Sequence, residues 1–532
     1  NINELLLNDI SRALSDVPER NDPCERNKYL ENKIHQTKLP SIKLLLELVD
    51  QVIGLPRHLG QHTGGIVISS GRLDSIVPIE PARMGNRSVI QWDKDDCSHL
   101  GLIKIDLLGL GMFNALEKTL SLVREYYSQE IDLSQIPQDD SKTYKMIQSG
   151  DTIGVFQIES RAQMATLPRI RPKCFYDLVV QIGIIRPGPI TGKMVHPYIN
   201  RRSGIEPVSY SHPILKPILQ RTLGIPIFQE QILKISIVAA GLTGGEAEEV
   251  RRAMGFKTPT EQMTKIEGTL RSGMLNNGIS KGACEEILHD IRAFAMYGFP
   301  ESHSASFALI AYASAYLRAH YPAAFLVGML NSYPLGFYSP ATLVKDAERH
   351  GVKILSIDVT KSNWDCSLES SPNKECGPSV RLGLRYVNKL TRKTVDRIIA
   401  ERQKLQFLDL ADFVSRISAN DNEIFTLAEL GALESIHENQ KKRRGTLWQV
   451  AALEKDTHSL LSGIYEHTEQ FPLDSMTQLE ETLADYRNSG MTAGPHIMAH
   501  LRTALNEEGI TPLIEIQNFP DGCNVRAAGH II

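Results

Sequence analysis

The run Leu102-Ile-Lys-Ile-Asp-Leu-Leu-Gly-Leu110 constrains this chain more than any other stretch. Apolar residues and a glycine surround two charges, so the pattern predicts a buried strand with a lysine and a carboxylate in its middle. Burying a lone carboxylate costs on the order of several kcal/mol, comparable to the net stability of a domain. A partner cation or a metal ion relieves that cost. Lys104 and Asp106 are two apart, so on a strand they face the same side. A lysine and a carboxylate on one strand face suit a site that holds a metal ion and a polyphosphate. A satisfied structural ion pair fits the same two residues.

The chain has 532 residues, which predicts several domains, roughly three or four. Its 42% hydrophobic and 23% charged content are those of a globular protein in water. No run approaches the roughly 18 apolar residues of a membrane span. Asn1 to Ile10 carry no basic segment followed by an apolar core, so no signal peptide is read there. The seven cysteines are scattered and none forms a CxxC pair, which argues against a zinc knuckle or a disulfide framework and for a reducing cytoplasm. Net charge is -4, so a nucleic-acid surface on this chain must be a local basic patch.

Residues 1 to about 55 read as helical, with Ile42, Leu45, Leu46, Leu48, Val49 and Val52 on one face and Pro56 as the stop. Short strands follow at Gly65–Ser69, Ser88–Trp92 and the Lys104/Asp106 run, punctuated by glycine and proline. From Met112 to about 335 the pattern is mainly helical. Thr243-Gly-Gly-Glu246 has capping-box spacing ahead of a helix over Ala247–Met254, and another helix is expected from about Ser304 to Ala319. A mixed stretch over 336–380 contains a break at Ser370–Lys374. A smaller helical unit runs from about Arg381 to Ser435, and 437–444 form a polar connection. Val525 to Ile532 look like a strand just beginning. Asn rather than Met at position 1, with that last strand, makes both ends look cut.

Four cations, Arg161, Arg169, Arg171 and Lys173, fall close together against one acid, Glu159. That density suits a phosphate-contacting element or, equally, a solvated basic face. Arg186 precedes a rigid Pro187-Gly188-Pro189 turn, where it would be a fork for phosphate oxygens or part of a plain turn. Gln229-Glu230-Gln231 and Arg251-Arg252 are polar clusters on helices, with Glu248 and Arg252 spaced as an ordinary helix pair. Ser302, His303 and Ser304 follow a turn into a helix, where free amides attract anions, although a histidine there can also neighbour the cap. Walker, GxGxxG, HExxH and GxSxG motifs are absent, which argues against an ATPase, a dehydrogenase, a zinc protease and a typical hydrolase.

Together and in this order, these motifs resemble bacterial C-family DNA polymerases, the family of the DNA polymerase III α subunit. The resemblance rests on His62-Thr-Gly-Gly-Ile-Val-Ile68, Gly101-Leu-Ile-Lys-Ile-Asp-Leu-Leu-Gly109 and Phe156-Gln-Ile-Glu-Ser-Arg161. It continues in Arg186-Pro-Gly-Pro189, Phe228-Gln-Glu-Gln231, Arg251-Arg-Ala-Met-Gly255 and Gly298-Phe299 through Ser302-His303. Pro56-Arg-His-Leu-Gly-Gln-His62, Val89-Ile-Gln-Trp-Asp-Lys-Asp-Asp96, Gly298-Phe-Pro-Glu-Ser-His303 and the late Ala484-Asp-Tyr-Arg487, Gly490-Met491 and His496 resemble its error-prone, translesion branch. The replicative branch usually has Asn-Lys where Pro300-Glu301 stands, and residues 458–500 show no clear clamp-binding peptide.

The resemblance implies a multidomain, predominantly helical α+β fold. Residues 1–57 would be thumb-like, 58–111 the second half of a palm, 112–370 fingers, 371–440 a helix-hairpin-helix region, 441–505 a connection and 506–532 the start of an OB-fold. Asp106 would be the third catalytic carboxylate, holding Mg²⁺ in a two-metal site, and Lys104 would face a phosphate. Arg186, Ser302 and His303 would be nucleotide-facing. Arg161, Arg169, Arg171, Lys173, Arg251 and Arg252 would contact DNA. The family's PHP domain and its Asp-x-Asp pair lie upstream of Asn1 in this picture, so the chain is expected to be inactive alone. The hairpin near Asn388-Lys-Leu-Thr391 lacks the glycines that usually grip a phosphate. Implied partners are primer-template DNA, dNTPs, an accessory Y-family-like protein and the sliding clamp. The replicative branch and a non-catalytic DNA-binding scaffold are the competing readings.

Overall fold

The structure is a computed structural model that describes residues 48, 62, 64–82, 87–107, 109–185, 192–254, 260–295, 299–336, 338–370, 377–436, 443–453 and 474–529. The chain divides into two units, 1–108 and 109–532. The helix expected before residue 55 lies outside the described residues apart from Leu48. The breaks at 186–191, 371–376 and 437–442 also lie outside them.

In the first unit, β1 (Gly65–Ile68) pairs antiparallel with β4 (Ile103–Asp106), and β2 (Ile79–Pro81) pairs with β3 (Ser88–Ile90). Between β3 and β4 the helix Lys94–His99 is started by a reciprocal bond pair. The Asp96 amide donates to Asp93 Oδ1 at 2.9 Å and the Asp93 amide to Asp96 Oδ2 at 3.2 Å. Gly101, at φ 68°, ends it in a Schellman turn: its own amide donates to the Ser98 carbonyl, and the Leu102 amide to the Cys97 carbonyl. That turn aims the chain directly into β4.

The strand is not buried, as its apolar flanks suggest. All four β4 residues are exposed, with Ile103 at 61% and Ile105 at 41%. The register sets Gly65 opposite Asp106 and Val67 opposite Lys104, with Ile66 and Ile68 opposite Ile105 and Ile103. The ladder is therefore two-faced, isoleucines on one side and the charged pair on the other. A two-stranded ribbon has no inner strand and cannot bury a face on its own.

The second unit is mainly helical, and the α+β reading holds. One core lies around the helices Leu110–Tyr127 and Pro322–Asn331 and extends through the mixed sheet β5 (Ile354–Leu355), β7 (Ser379–Arg381), β6 (Ser367–Glu369) to the helices Arg392–Lys404, Leu410–Ile417 and Asp421–Glu429. A second core packs the helix Glu301–His320 on Phe175–Ile184, and a third joins Gln229–Val238, Gly244–Met254, Thr260–Asn276 and Lys281–Ala295.

Element boundaries shift from the sequence expectations for local reasons. The Thr243 capping box forms, Thr243 amide to Glu246 Oε2 at 2.8 Å and Glu246 amide to Thr243 Oγ1 at 3.4 Å. The helix therefore begins at Gly244 rather than Ala247. The helix expected from Ser304 begins at Glu301, after Pro300 in an extended conformation, and runs to His320. Arg381 ends β7 instead of opening a helical unit, and Arg443 and Arg444 begin the helix Arg443–Leu453. Val525 to Gly529 form no strand: the Arg526 carbonyl accepts the Thr511 amide at 2.9 Å, but no ladder extends that contact among the described residues. No described helix is long and apolar enough to cross a membrane.

Candidate active site and basic face

In the first unit, β4 presents Lys104 and Asp106 on one face, as their spacing predicts. The Asp106 side chain keeps 42% of its surface in water, so it is not the buried carboxylate that the flanking residues suggest. A third side chain joins them that the sequence reading did not assign: His62 Nε2 stands 3.4 Å from Asp106 Oδ2. The opposite ring nitrogen, Nδ1, accepts the Gly64 amide at 3.1 Å. Gly65 makes room for the group. A Cβ there would lie 3.0 Å from Lys104 Cε and 3.1 Å from His62 Nδ1. The His62-Thr-Gly-Gly spacing carried that signal, but only the fold shows which atoms meet.

In the second unit, Arg161 opens the helix Arg161–Ile170, whose N-cap Ser160 accepts the Gln163 amide. Arg161, Arg169, Arg171 and Lys173 are all exposed. The single acid of the run, Glu159, is 6% exposed. The acid is turned inward and the cations outward, so the surface there is more positive than the composition of the run implies. Arg171 caps the helix at φ 49° and its Nε donates to the Pro168 carbonyl at 3.2 Å.

Ser302 and His303 lie in the first turn of the helix Glu301–His320, as expected. Ser302 is exposed. His303 packs between Phe299 and Phe307, with ring centroids 5.2 and 4.2 Å away, and Phe307 meets Phe156 at 5.2 Å. Two separate motifs, together with Phe307 of the helix, thus contribute to one aromatic cluster. The helix amides are less open to an anion than the sequence suggests: the first, of Glu301, donates to Glu230 Oε2 at 2.8 Å. Ser304 is buried and donates to the Val179 carbonyl at 2.5 Å, a structural role.

Arg251 forks onto Glu248 at 2.8 and 2.6 Å and donates to Gln229 Oε1 at 3.0 Å. Glu248 is thus paired with Arg251, three residues on and one helical turn away, and the expected pairing with Arg252 rests on a side chain outside the described ones. Arg252 is described only as part of the helix Gly244–Met254, and Arg186 lies outside the described residues. Gln231 is buried; its Oε1 accepts the Ile227 and Phe228 amides at 2.8 and 3.0 Å, so that motif residue holds the helix start.

The hairpin at Asn388–Thr391 solves its missing-glycine problem with Lys389 at φ 65°. Two of its amides are committed to distant parts of the chain. Asn388 N–H donates to the Asn488 carbonyl at 2.7 Å and Thr391 N–H to Glu423 Oε1 at 2.8 Å.

One charged cluster escaped the sequence reading altogether. Asp151, Asp346 and His350 converge closely enough to hold a metal ion, beside a cavity of about 330 Å³ floored by Ile153, Phe325, Met329 and Leu343. Arg318, 7% exposed, already fills that role, donating to Asp151 Oδ1 and Asp346 Oδ2 at 2.7 Å each. His350 Nε2 lies 2.6 Å from Asp151 Oδ2. Burial would push the Asp151 carboxyl up, but Arg318 and His350 hold it below the usual carboxylate range. Burial lowers and the two carboxylates raise the Arg318 value, with a net rise. Asp346 and His350 are one helical turn apart, but Asp151 and Arg318 lie far from them in sequence, so no spacing could reveal the cluster.

Three family models match the chain. They are described as the bacterial DNA polymerase III alpha NTPase domain over residues 2–109, the bacterial DNA polymerase III alpha subunit finger domain over 112–278, and a helix-hairpin-helix motif over 351–443. The chain is 44% identical over 493 residues to the error-prone DNA polymerase of Alkalilimnicola ehrlichii, covering 93% of this chain and 48% of that protein. It is 44% identical over 501 residues to error-prone DNA polymerase 2 of Agrobacterium fabrum (92% and 46%) and 42% identical over 538 residues to the error-prone DNA polymerase of Pseudomonas aeruginosa (98% and 52%). The chain spans about half the length of the curated relatives it matches.

Proposed function

Because this chain belongs to the bacterial C-family of DNA polymerases, in its error-prone group, we propose that it forms part of an enzyme that copies damaged template DNA by adding dNTPs to a primer 3′-hydroxyl. The observation that carries the reading is the shared face of β4, where Asp106 and Lys104 stand together and open to water.

A hard, exposed carboxylate is the donor that Mg²⁺ takes from protein, usually one or two per ion with the rest from phosphates and water, so Asp106 fits the ion. Magnesium supplies activation of the primer hydroxyl and stabilisation of the departing pyrophosphate. Asp106 fixes where that charge sits. Lys104, on the same face, offers its ammonium to a phosphate of the triphosphate or primer. The exposed Arg161, Arg169, Arg171 and Lys173 hold the DNA backbone. Arg251, whose guanidinium is shared with Glu248 and Gln229, and Arg252 are proposed as further DNA contacts. Ser302 and His303, beside the aromatic cluster, and Arg186 face the nucleotide. In this reading residues 1–57 serve as thumb, 58–111 as palm, 112–370 as fingers, 371–440 as the helix-hairpin-helix region, 441–505 as a connection and 506–532 as the entry to an OB-fold. A two-metal site of this kind draws on further carboxylates, and the chain spans about half the length of its relatives, so our proposal is that the 532-residue chain by itself does not extend primers. The sliding clamp and an accessory Y-family-like protein are its proposed partners.

The test is primer extension by the gene product as the cell makes it, on undamaged and abasic templates with Mg²⁺. Template-dependent extension that passes the abasic site supports the reading. Extension that halts there points to a replicative enzyme, and DNA binding with no extension points to a scaffold.

A further inference from the structure

Asp106 carries two carboxylate oxygens, and His62 Nε2 stands 3.4 Å from one of them, Oδ2. The direction of that approach is set by the backbone. The Gly64 amide donates to Nδ1 at 3.1 Å, so Nδ1 carries no proton and the neutral ring carries its proton on Nε2. Nε2 is the nitrogen 3.4 Å from Asp106 Oδ2. The ring is also confined sterically, because the missing side chain of Gly65 leaves a seat shared with the Lys104 stem. Gly65 is the register partner of Asp106, so the seat and the carboxylate lie at the same rung of the ladder.

We infer that His62 is a positioning residue for Asp106, donating from Nε2 to Oδ2 and so turning Oδ1 toward the metal ion. The inference rests on the reading of Asp106 as a metal ligand. A carboxylate on an exposed two-stranded ribbon rotates freely unless something holds it, and a histidine of fixed tautomer supplies one such hold. Lys104 cannot do this without surrendering its charge to Asp106 instead of to a phosphate. The arrangement therefore leaves the lysine for the substrate. His62→Gln keeps an amide donor near the position of Nε2, whereas His62→Ala keeps none.

The experiment compares wild type, H62A, H62Q and D106N of the gene product as the cell makes it, reading primer extension against Mg²⁺ concentration, and adds ring ¹⁵N shifts of His62 in the unmutated protein. Loss of an outer hydrogen bond to a ligand typically costs about 10–100-fold in metal affinity or activity. The expected result is a rise of about tenfold in half-saturating Mg²⁺ for H62A, most of it restored in H62Q, with the dNTP KM little changed. The ring shifts should show Nε2 protonated and Nδ1 bare. An unchanged Mg²⁺ requirement in H62A, with D106N inactive, overturns the role of His62 and leaves Asp106 standing. An active D106N overturns the reading of Asp106, and this inference with it. If H62A fails to fold, a ring protonated on Nδ1 alone overturns the inference directly.

Discussion

Arg318 stands 2.7 Å from a carboxylate oxygen of both Asp151 and Asp346, with 7% of its side chain in water. Asp346 is almost as buried, at 11%. Removing the cation takes the shared partner from both acids and leaves only His350 of this cluster beside them; breaking a buried pair typically costs about 3–5 kcal/mol, so R318M should show a correspondingly lower urea midpoint. The pH dependence has a definite sign. A depressed carboxyl contributes stability that is complete above its ordinary value near about 4 and is lost as pH falls through the lower folded-state value. Asp151 is of this kind. The stability difference between wild type and R318M should hold steady at neutral pH and shrink below about pH 4. None of this was legible in the sequence, where Asp151, Arg318 and Asp346 are unremarkable charges. Lys104 and Asp106 were legible because a period of two is enough to place them on one face. His62 was half legible: its motif stood out, but not the carboxylate it meets.

Among the elements, the helix pair Leu110–Tyr127 and Pro322–Asn331 depends on close approach at Gly328. A Cβ there would lie 2.6 Å from the Ala115 carbonyl and run into Thr119 Oγ1, which itself donates to that carbonyl. Overpacking costs about 1–3 kcal/mol and exceeds the ~1 kcal/mol that alanine gains over glycine in a helix. Gly268 is the contrast, since nothing lies within 4 Å of a Cβ added there. Thermal unfolding should therefore move down in G328A and up in G268A, although both replace a helical glycine. Local signals were readable at this scale where the chemistry is local, as at the Thr243 capping box. The burial of β4 was misjudged because apolar residues report what a strand can bury. Whether another layer covers it is decided elsewhere in the chain.

Across the whole molecule, a net charge of -4 coexists with a run whose four cations face out and whose acid faces in. If that face holds DNA, replacing Arg161, Arg169, Arg171 and Lys173 with Gln should flatten the dependence of log K on log salt. On duplex DNA the slope should fall by up to about 0.9 for each phosphate that is no longer neutralised. An unchanged slope would assign the face to solvent. The helical α+β class and the order of the motifs were open to sequence reading because both are written along the chain. The commitment of the hairpin amides to Asn488 and Glu423 was not, since both partners come from well beyond the hairpin in the chain. What joins these scales is one carboxylate on an exposed ribbon. The most direct measurement is Mg²⁺-dependent primer extension by the gene product as the cell makes it, wild type beside D106N, with DNA affinity measured in parallel. The account predicts that D106N binds primer-template as wild type does and does not extend it. Equal extension by both would contradict it and leave Asp106 a structural residue.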